Sequence, residues 1–242
     1  MKLKIYPDYA QMSDAAADAI IMVVKEKSNA VICLPTGNTP TLTYELLVRK
    51  SNDLGIDFSK VILIGLDEWL GISATTVGSC NHFFNEHLIK HLNFSRKNIY
   101  LFDGLTNDPE ADCHKINLFI ETAGGIDLMV VGIGMNGHIG FNEPGASFDE
   151  HAHVTRLHAI TIEVGQKYFN TEVKLEKGIT LGLRNLLESR NVIMLANGRA
   201  KAAIIRQTLE QETSTLLPST IMQLHDNSAL YIDEEAASLL TE

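Results

Sequence analysis

The chain has 242 residues, 45% of them hydrophobic and 21% charged, and carries a formal net charge of −10. That length and apolar content suffice for one large domain with an ample core, and no linker, repeat, low-complexity tract or block of like charge divides it, so a single domain over residues 1–242 is expected. The acidic balance excludes the basic stripe of a nucleic-acid surface, and no apolar run approaches a membrane span.

Three widely spaced cysteines, Cys33, Cys80 and Cys113, fit neither a disulfide framework nor a zinc motif. With no apolar signal core between Met1 and Asp8, the expected compartment is a reducing cytoplasm. An anionic small substrate remains compatible with the composition. It would need positive groups concentrated locally against the overall field.

Lys2 to Tyr6 alternates as a first strand, and Tyr9 to Lys27 follows with Ala16, Ile20, Val23 and Val24 at helical spacing, Ser13 and Asp14 suiting its start. Ala30 to Leu34 is a short buried strand running into Pro35-Thr-Gly-Asn-Thr-Pro40. A helix over Leu42 to Lys50 comes next, with Thr39 as N-cap and Pro40 as its first residue. This loop has two readings. One is a capped strand-to-helix turn. The other is a phosphate cradle, in which Gly37 lets the backbone approach closely, amides at the helix start point outward, and Thr36 and Thr39 add hydroxyl donors. No Gly-Lys-Ser/Thr follows, so it is not a Walker loop.

Val61 to Leu66 is a third buried strand, delivering Asp67-Glu68-Trp69 at its end. Two adjacent carboxylates there allow one to be partly desolvated beside a ligand, raising its pKa towards that of a working base. The plainer alternative is that Asp67 caps a turn while Glu68 faces water. Ser79 to Leu92 reads as a helix capped by Ser79 and carrying His82, His87 and His91. Glu86 precedes the last two, so the zinc-peptidase arrangement is absent and these histidines are expected in water or at the core's edge. Ile99 to Phe102 is a short strand and Pro109 to Thr122 a helix.

Ile126 to Ile133 is an apolar run that breaks into glycines at 132, 134, 137, 140 and 145, interleaved with Asn136, His138, Asn142 and Glu143. Gly132-x-Gly134-x-x-Gly137 spells a dinucleotide fingerprint, but that motif needs a helix to begin within it, and Gly140, Pro144 and Gly145 interrupt the next turns. The stretch is better read as a loop of titratable groups at a strand's carboxyl end, where open α/β sheets bind ligands. His153 to Glu163 alternates as a half-buried strand, with Lys167 in a polar bend after it. Leu181 to Glu188 is a helix, Asn191 to Ala196 a strand, and Asn197-Gly-Arg-Ala-Lys201 opens a helix to Glu210. Pro218 begins a short helix, Ala229 to Asp233 is the last strand, and a terminal helix closes the chain. Lys167 and Lys201 are surface residues by type, and suppliers of positive charge if the ligand carries a phosphate.

Strands alternating with helices imply an α/β fold: a three-layer, mostly parallel Rossmann-like sheet with helices on both faces. The loops at 35–40, 67–69 and 134–145 then emerge on one edge and can converge.

Leu34-Pro-Thr-Gly-Asn-Thr-Pro40, Gly65-Leu-Asp-Glu-Trp69, Gly132-Ile-Gly-Met-Asn-Gly-His-Ile-Gly-Phe-Asn-Glu-Pro144 and Asn197-Gly-Arg-Ala-Lys201 together resemble the glucosamine-6-phosphate deaminases nearly end to end. The resemblance implies conversion of glucosamine 6-phosphate and water to fructose 6-phosphate and ammonia, with no metal and no organic cofactor. His138 matches the residue that opens the pyranose ring, flanked by Glu143 and Asn136. Asp67 matches the base that moves the carbon 2 proton to carbon 1 through an enolamine. The phosphate is implied to sit on Thr36, Gly37, Asn38 and Thr39, with Lys167 and Lys201 as its cationic ligands.

Two departures from that family stand out. Asn136 occupies a position where many members have Asp, so a proton relay has to lean on Glu143. Members regulated by N-acetylglucosamine 6-phosphate carry an Arg-x-Lys pair where this chain has His153-Val-Thr155, and a longer tail than one ending at Glu242, which implies weak or absent allostery. Monomer and homo-oligomer both stay open. The alternative is lactone hydrolysis of the 6-phosphogluconolactonase type, whose related loop also has Gly-x-Gly and Gly-His; the Asn142-Glu143-Pro144 ending favours the deaminase. A non-catalytic sugar-phosphate sensor would call for a DNA-binding extension or basic arm, which the sequence lacks.

Overall fold

The computed structural model describes residues 1–240. In chain order the elements are β1 (Lys2–Tyr6), α1 (Tyr9–Glu26), β2 (Val31–Leu34), α2 (Asn38–Leu54), β3 (Ile62–Gly65), β4 (Asp67–Trp69), α3 (Cys80–Phe84), β5 (Ile99–Tyr100), α4 (Pro109–Thr122) and β6 (Leu128–Gly132). They continue with β7 (His153–Arg156), α5 (Ala159–Gln166), β8 (Lys177–Thr180), α6 (Leu183–Glu188), β9 (Val192–Ala196), α7 (Ala202–Glu210), β10 (Ser228–Asp233) and α8 (Glu234–Ala237).

Seven strands form one sheet in the order β1-β10-β9-β6-β2-β3-β5, and each neighbouring pair is parallel. From β2 the chain steps outward to β3 and β5, then crosses back to place β6 on β2's other side and continues through β9 to β10. The direction of winding therefore reverses between β2 and β6. Such a switch leaves a crevice beyond the strands' carboxyl ends, where the 35–37 and 133–145 loops leave the sheet.

Both faces of the sheet's middle are covered, so β2, β6 and β9 are apolar throughout, whereas the edge strand β1 alternates and is largely exposed. Side chains one residue apart still go to opposite faces. Val31 and Cys33 of β2 join the core under α4, α6 and α7, with Ile116, Leu186 and Ile205; Ile32 and Leu34 join the core under α1 and α2, with Ile20, Tyr44 and Leu47. Truncating a fully buried member such as Leu34 to alanine is expected to destabilise the fold by about 2–5 kcal/mol. Since β2 carries the phosphate-type loop, that core also sets the loop's position.

A second sheet is antiparallel, in the order β4-β8-β7. Its Asp67–Trp69 strand was expected only as a strand end, and β8 was not expected. Lys177-Gly-Ile-Thr180 is too short for its period to register, and Gly178 is present because a Cβ there would lie 2.2 Å from the Phe141 ring.

The expected strand over 153–163 ends at Arg156, and the rest is α5. His158 caps that helix by accepting from the Ile160 amide, and the helix buries Thr161 and Gly165, four residues apart, the latter under the Trp69 ring. The alternation of Val154, Leu157, Ile160 and Ile162 was thus a strand followed by a helix. Two expected caps also differ. Asp8, not Ser13, caps α1, and α2 starts at Asn38 behind Gly37, so that Thr39 lies inside its first turn. The Ser79–Leu92 helix is α3 followed by a π turn over Asn85–Ile89. The closing helix, α8, has four residues, and residues 241–242 lie outside the described part. Among the described residues no helix is long and apolar enough to cross a membrane.

Candidate active site

Gly37 ends the loop after β2 at φ 106°, a conformation suited to glycine, with the Tyr168 hydroxyl 3.3 Å from where a Cβ would stand. The backbone can therefore turn sharply into α2, whose first amides belong to Asn38 and Thr39. The amino end of a 17-residue helix, with its positive dipole end, makes this turn a fit for an anion, and the Tyr168 hydroxyl already accepts from the Asn38 amide there. From behind, the Tyr9 hydroxyl bonds the Asn38 and Thr39 carbonyls at 3.1 and 2.9 Å. The Thr39 hydroxyl donates to Asn197 Oδ1 at 2.9 Å, tying this loop to the one after β9.

Lys201 stands in that neighbouring loop. Its Nζ donates to the Ile133 carbonyl at 2.6 Å, so it is a half-buried cation at the end of β6 rather than a surface lysine. Burial lowers its pKa. Lys167 differs: it is exposed at the end of α5, beside Tyr168. Thr36 does not offer its hydroxyl to the crevice, because that group donates to Cys80 Sγ at 3.2 Å.

The paired carboxylates after β3 have opposite fates. Glu68 is fully buried and accepts from the amides of Trp69, Cys80 and Asn81 at 2.8, 3.0 and 2.8 Å and from the Asn81 side chain at 2.8 Å. It caps α3 instead of facing water. Asp67 is half-buried, and Cys80 Sγ lies 3.5 Å from its Oδ1. Burial pushes the Asp67 carboxyl up to about 7, against the thiol's hydrogen bond and with help from the Glu68 charge. A carboxyl in that range can take and return a proton near neutrality.

The loop after β6 contains no helix; it turns tightly, with the Gly134 amide donating to the His138 carbonyl at 2.9 Å. A Cβ at Gly134 would lie 2.3 Å from the His138 ring, so only glycine admits the imidazole there. His138 Nδ1 is 3.3 Å from Glu143 Oε2 and 3.2 Å from the Thr161 hydroxyl. Glu143 also accepts from Asn136 Nδ2 at 2.9 Å and from the His158 amide at 3.1 Å. Burial alone would raise the Glu143 carboxyl, but His138, Thr161 and Asn136 outweigh it and hold it at about 2. A carboxylate fixed on Nδ1 leaves Nε2 as the nitrogen that can face a ligand.

These loops meet. The Phe141 and Trp69 ring centroids are 4.5 Å apart, and Gly140 sits against Leu66, so the imidazole loop packs on the segment that carries Asp67. Contacts link the candidate residues: Thr36 reaches Asp67 through Cys80, Thr39 reaches the Lys201 loop through Asn197, Lys201 reaches Ile133 at the head of the imidazole loop, and Glu143 holds both Asn136 and His138. Lys167 is exposed, and its neighbour Tyr168 is the residue that lies against Gly37. Sequence reasoning missed Cys80, Thr161 and Tyr168. The last two belong to the misread α5 region, and a single cysteine gave no signal of a contact with residues 36 and 67. Among the described residues no group of three or more His, Cys, Asp or Glu is arranged to hold a metal ion, His87 and His91 included.

Residues 7–231 match the model of the family described as glucosamine-6-phosphate isomerases/6-phosphogluconolactonase. The chain belongs to that family. Within the isomerase and lactonase family it is similar to the glucosamine-6-phosphate deaminase of Thermoanaerobacter sp. (strain X514), 38% identical over 100% of this chain and 96% of that protein. It is likewise similar to that of Geobacillus sp. (strain WCH70), 37% identical over 100% and 97%. A solved monomeric glucosamine-6-phosphate deaminase is 33% identical and superposes with a TM-score of 0.96 over 99% of this chain and 100% of that one. The 6-phosphogluconolactonase of Trypanosoma brucei superposes at 0.80 over 99% and 98%, but at 18% identity it shares the fold alone. The family's lactonase branch is thus the more distant in this comparison.

Proposed function

We propose that this chain is a glucosamine-6-phosphate deaminase of amino-sugar catabolism, converting glucosamine 6-phosphate and water to fructose 6-phosphate and ammonia. The observation that supports the reading most is a set of contacts: Cys80 joins Asp67 to Thr36 just before the α2 amino end, and His138 is held through Nδ1 by Glu143 and Thr161, with burial pushing the Asp67 carboxyl up to about 7. Full-length relatives of that activity support the same substrate.

In this reading the substrate's phosphate lies on the Gly37–Thr39 amides, with Lys201 and Lys167 supplying charge and Thr39 holding the turn to Asn197. His138 Nε2 takes the proton of the anomeric hydroxyl and returns one to the ring oxygen, opening the pyranose. Glu143, kept anionic by its partners, stabilises the charged imidazolium, while Asn136 orients Glu143 without carrying charge. Asp67 then removes the proton from carbon 2 and delivers it to carbon 1, giving an iminium at carbon 2. Water adds there and ammonia leaves. No step calls on a metal or organic cofactor, and the chemistry classes the enzyme as a hydrolase. A cytoplasmic location and one domain over residues 1–242 complete the reading, and of the two oligomeric states left open the monomeric solved deaminase favours a monomer.

Ammonia release from glucosamine 6-phosphate in the presence of a chelator, run beside hydrolysis of 6-phosphogluconolactone, tests it. Ammonia without lactone turnover is expected. Lactone turnover without ammonia would move the chain to the lactonase branch.

A further inference from the structure

Cys80 is 3% exposed, at the first position of α3. Its place is fixed from several directions. Glu68 grips the amides on both sides of the helix start, Trp69 before it and Cys80 and Asn81 within it, which clamps α3 to β4 one residue from Asp67. The sulfur is left between two groups of the crevice. It accepts from the Thr36 hydroxyl at 3.2 Å and donates to Asp67 Oδ1 at 3.5 Å. Burial, then the Glu68 and Asp67 charges, push the thiol's pKa well up, so it keeps the proton it donates.

We infer that Cys80 is a positioning residue for the reaction: its thiol joins the phosphate-type loop at Thr36 to the Asp67 carboxylate and fixes how that carboxylate points. The inference rests on Asp67 being the base. Other ionisable groups also face Asp67, namely Glu68 of β4, Cys33 of β2, Tyr44 of α2 and Tyr168 after α5. Among the described residues it is the Cys80 thiol, and none of these four, that donates a hydrogen bond to the carboxylate.

A donor to the ionised form lowers a carboxyl's pKa, so its loss should raise the pKa of Asp67. The test is the pH profile of kcat for ammonia release by wild type, Cys80→Ala and Cys80→Ser. The acidic limb should move up by about half a pH unit or more in Cys80→Ala and return towards wild type in Cys80→Ser, which keeps a donor, with kcat changing more than KM. Trp69, the one tryptophan of the sequence, packs in the same cluster as Cys80, so its emission reports whether each variant is folded.

If Cys80→Ala loses that emission, infrared difference spectra of the intact protein supply the readout. The S–H stretch missing from Cys80→Ser should shift as wild type is titrated through Asp67, and stay fixed in Asp67→Asn. An unmoved acidic limb in folded Cys80→Ala, or a pH-indifferent S–H stretch, overturns the inference while an inactive Asp67→Asn leaves the functional reading standing. Full turnover in Asp67→Asn overturns both.

Discussion

His138 and Glu143 are bound to each other through the imidazole Nδ1, 3.3 Å from Glu143 Oε2, and Thr161 reaches the same nitrogen at 3.2 Å from a separate helix. One side of the ring is thereby committed to the protein, so its chemistry is confined to the other. His138→Gln should slow the closed-ring sugar by about 10²-fold or more while sparing an open-chain analogue, because only ring opening needs an imidazole at both proton transfers. Thr161→Val should lower turnover less, without a matching rise in KM. Steady-state rates on the two substrates check both, and equal slowing on both by His138→Gln would contradict the role.

Glu143 links the site to acid stability. Its folded pKa of about 2 lies below the ordinary 4.5, so the bound proton disfavours the fold and the group's contribution is present above about 4.5 and lost as pH falls towards 2. The melting-temperature gap between wild type and Glu143→Gln should therefore shrink over that window.

Asp67 has the opposite sign. Its pKa of about 7 exceeds the ordinary 3.8, so ionisation opposes folding and stability falls as pH rises through that window. Asp67→Asn removes the buried charge. At pH 8 the variant should melt higher than wild type by about 2 °C or more, a gain in stability at the expense of function. Thermal unfolding at pH 4 and pH 8 checks it, with the difference small at the lower value.

Much of this architecture was legible because buried strands of a parallel sheet have an unmistakable composition. Val31 to Leu34, Leu63 to Leu66 and Leu128 to Val131 admit few other readings, and the loops that follow them stand out by glycine and polar content. The antiparallel sheet and α5 were not legible. Lys177–Thr180 is a four-residue strand whose identity depends on Phe141 lying over Gly178, and Thr161 meets His138 only through a tertiary contact. The same limit hid the fates of Asp67 and Glu68: adjacent acids look alike until α3 supplies three amides to one of them.

Lys201 is half-buried and Lys167 exposed, and both are proposed to face the substrate's phosphate. Lys201→Ala should raise KM for glucosamine 6-phosphate by about tenfold or more, and Lys167→Ala by less, since a partly desolvated charge attracts a phosphate more strongly than one in water. Inorganic phosphate should lose potency as a competitive inhibitor in the same order.

Where effector-regulated relatives are expected to carry Arg-x-Lys, β7 here presents His153 and Thr155, whose side chains bond the His151 and Arg156 carbonyls at 2.9 and 3.3 Å. Substrate saturation should be hyperbolic, and N-acetylglucosamine 6-phosphate should not shift it. Sigmoidal curves that the effector makes hyperbolic would show a site built from other residues.

The most direct test of the central claim is ammonia release from glucosamine 6-phosphate by wild type and Asp67→Asn, with substrate affinity measured by calorimetry on the same preparations. If Asp67 is the carbon-acid base over a phosphate seated on α2, wild type releases ammonia, and the variant binds with similar affinity but turns over about 10²–10⁴-fold more slowly. Near-normal turnover in Asp67→Asn, or no ammonia from wild type, would contradict the account.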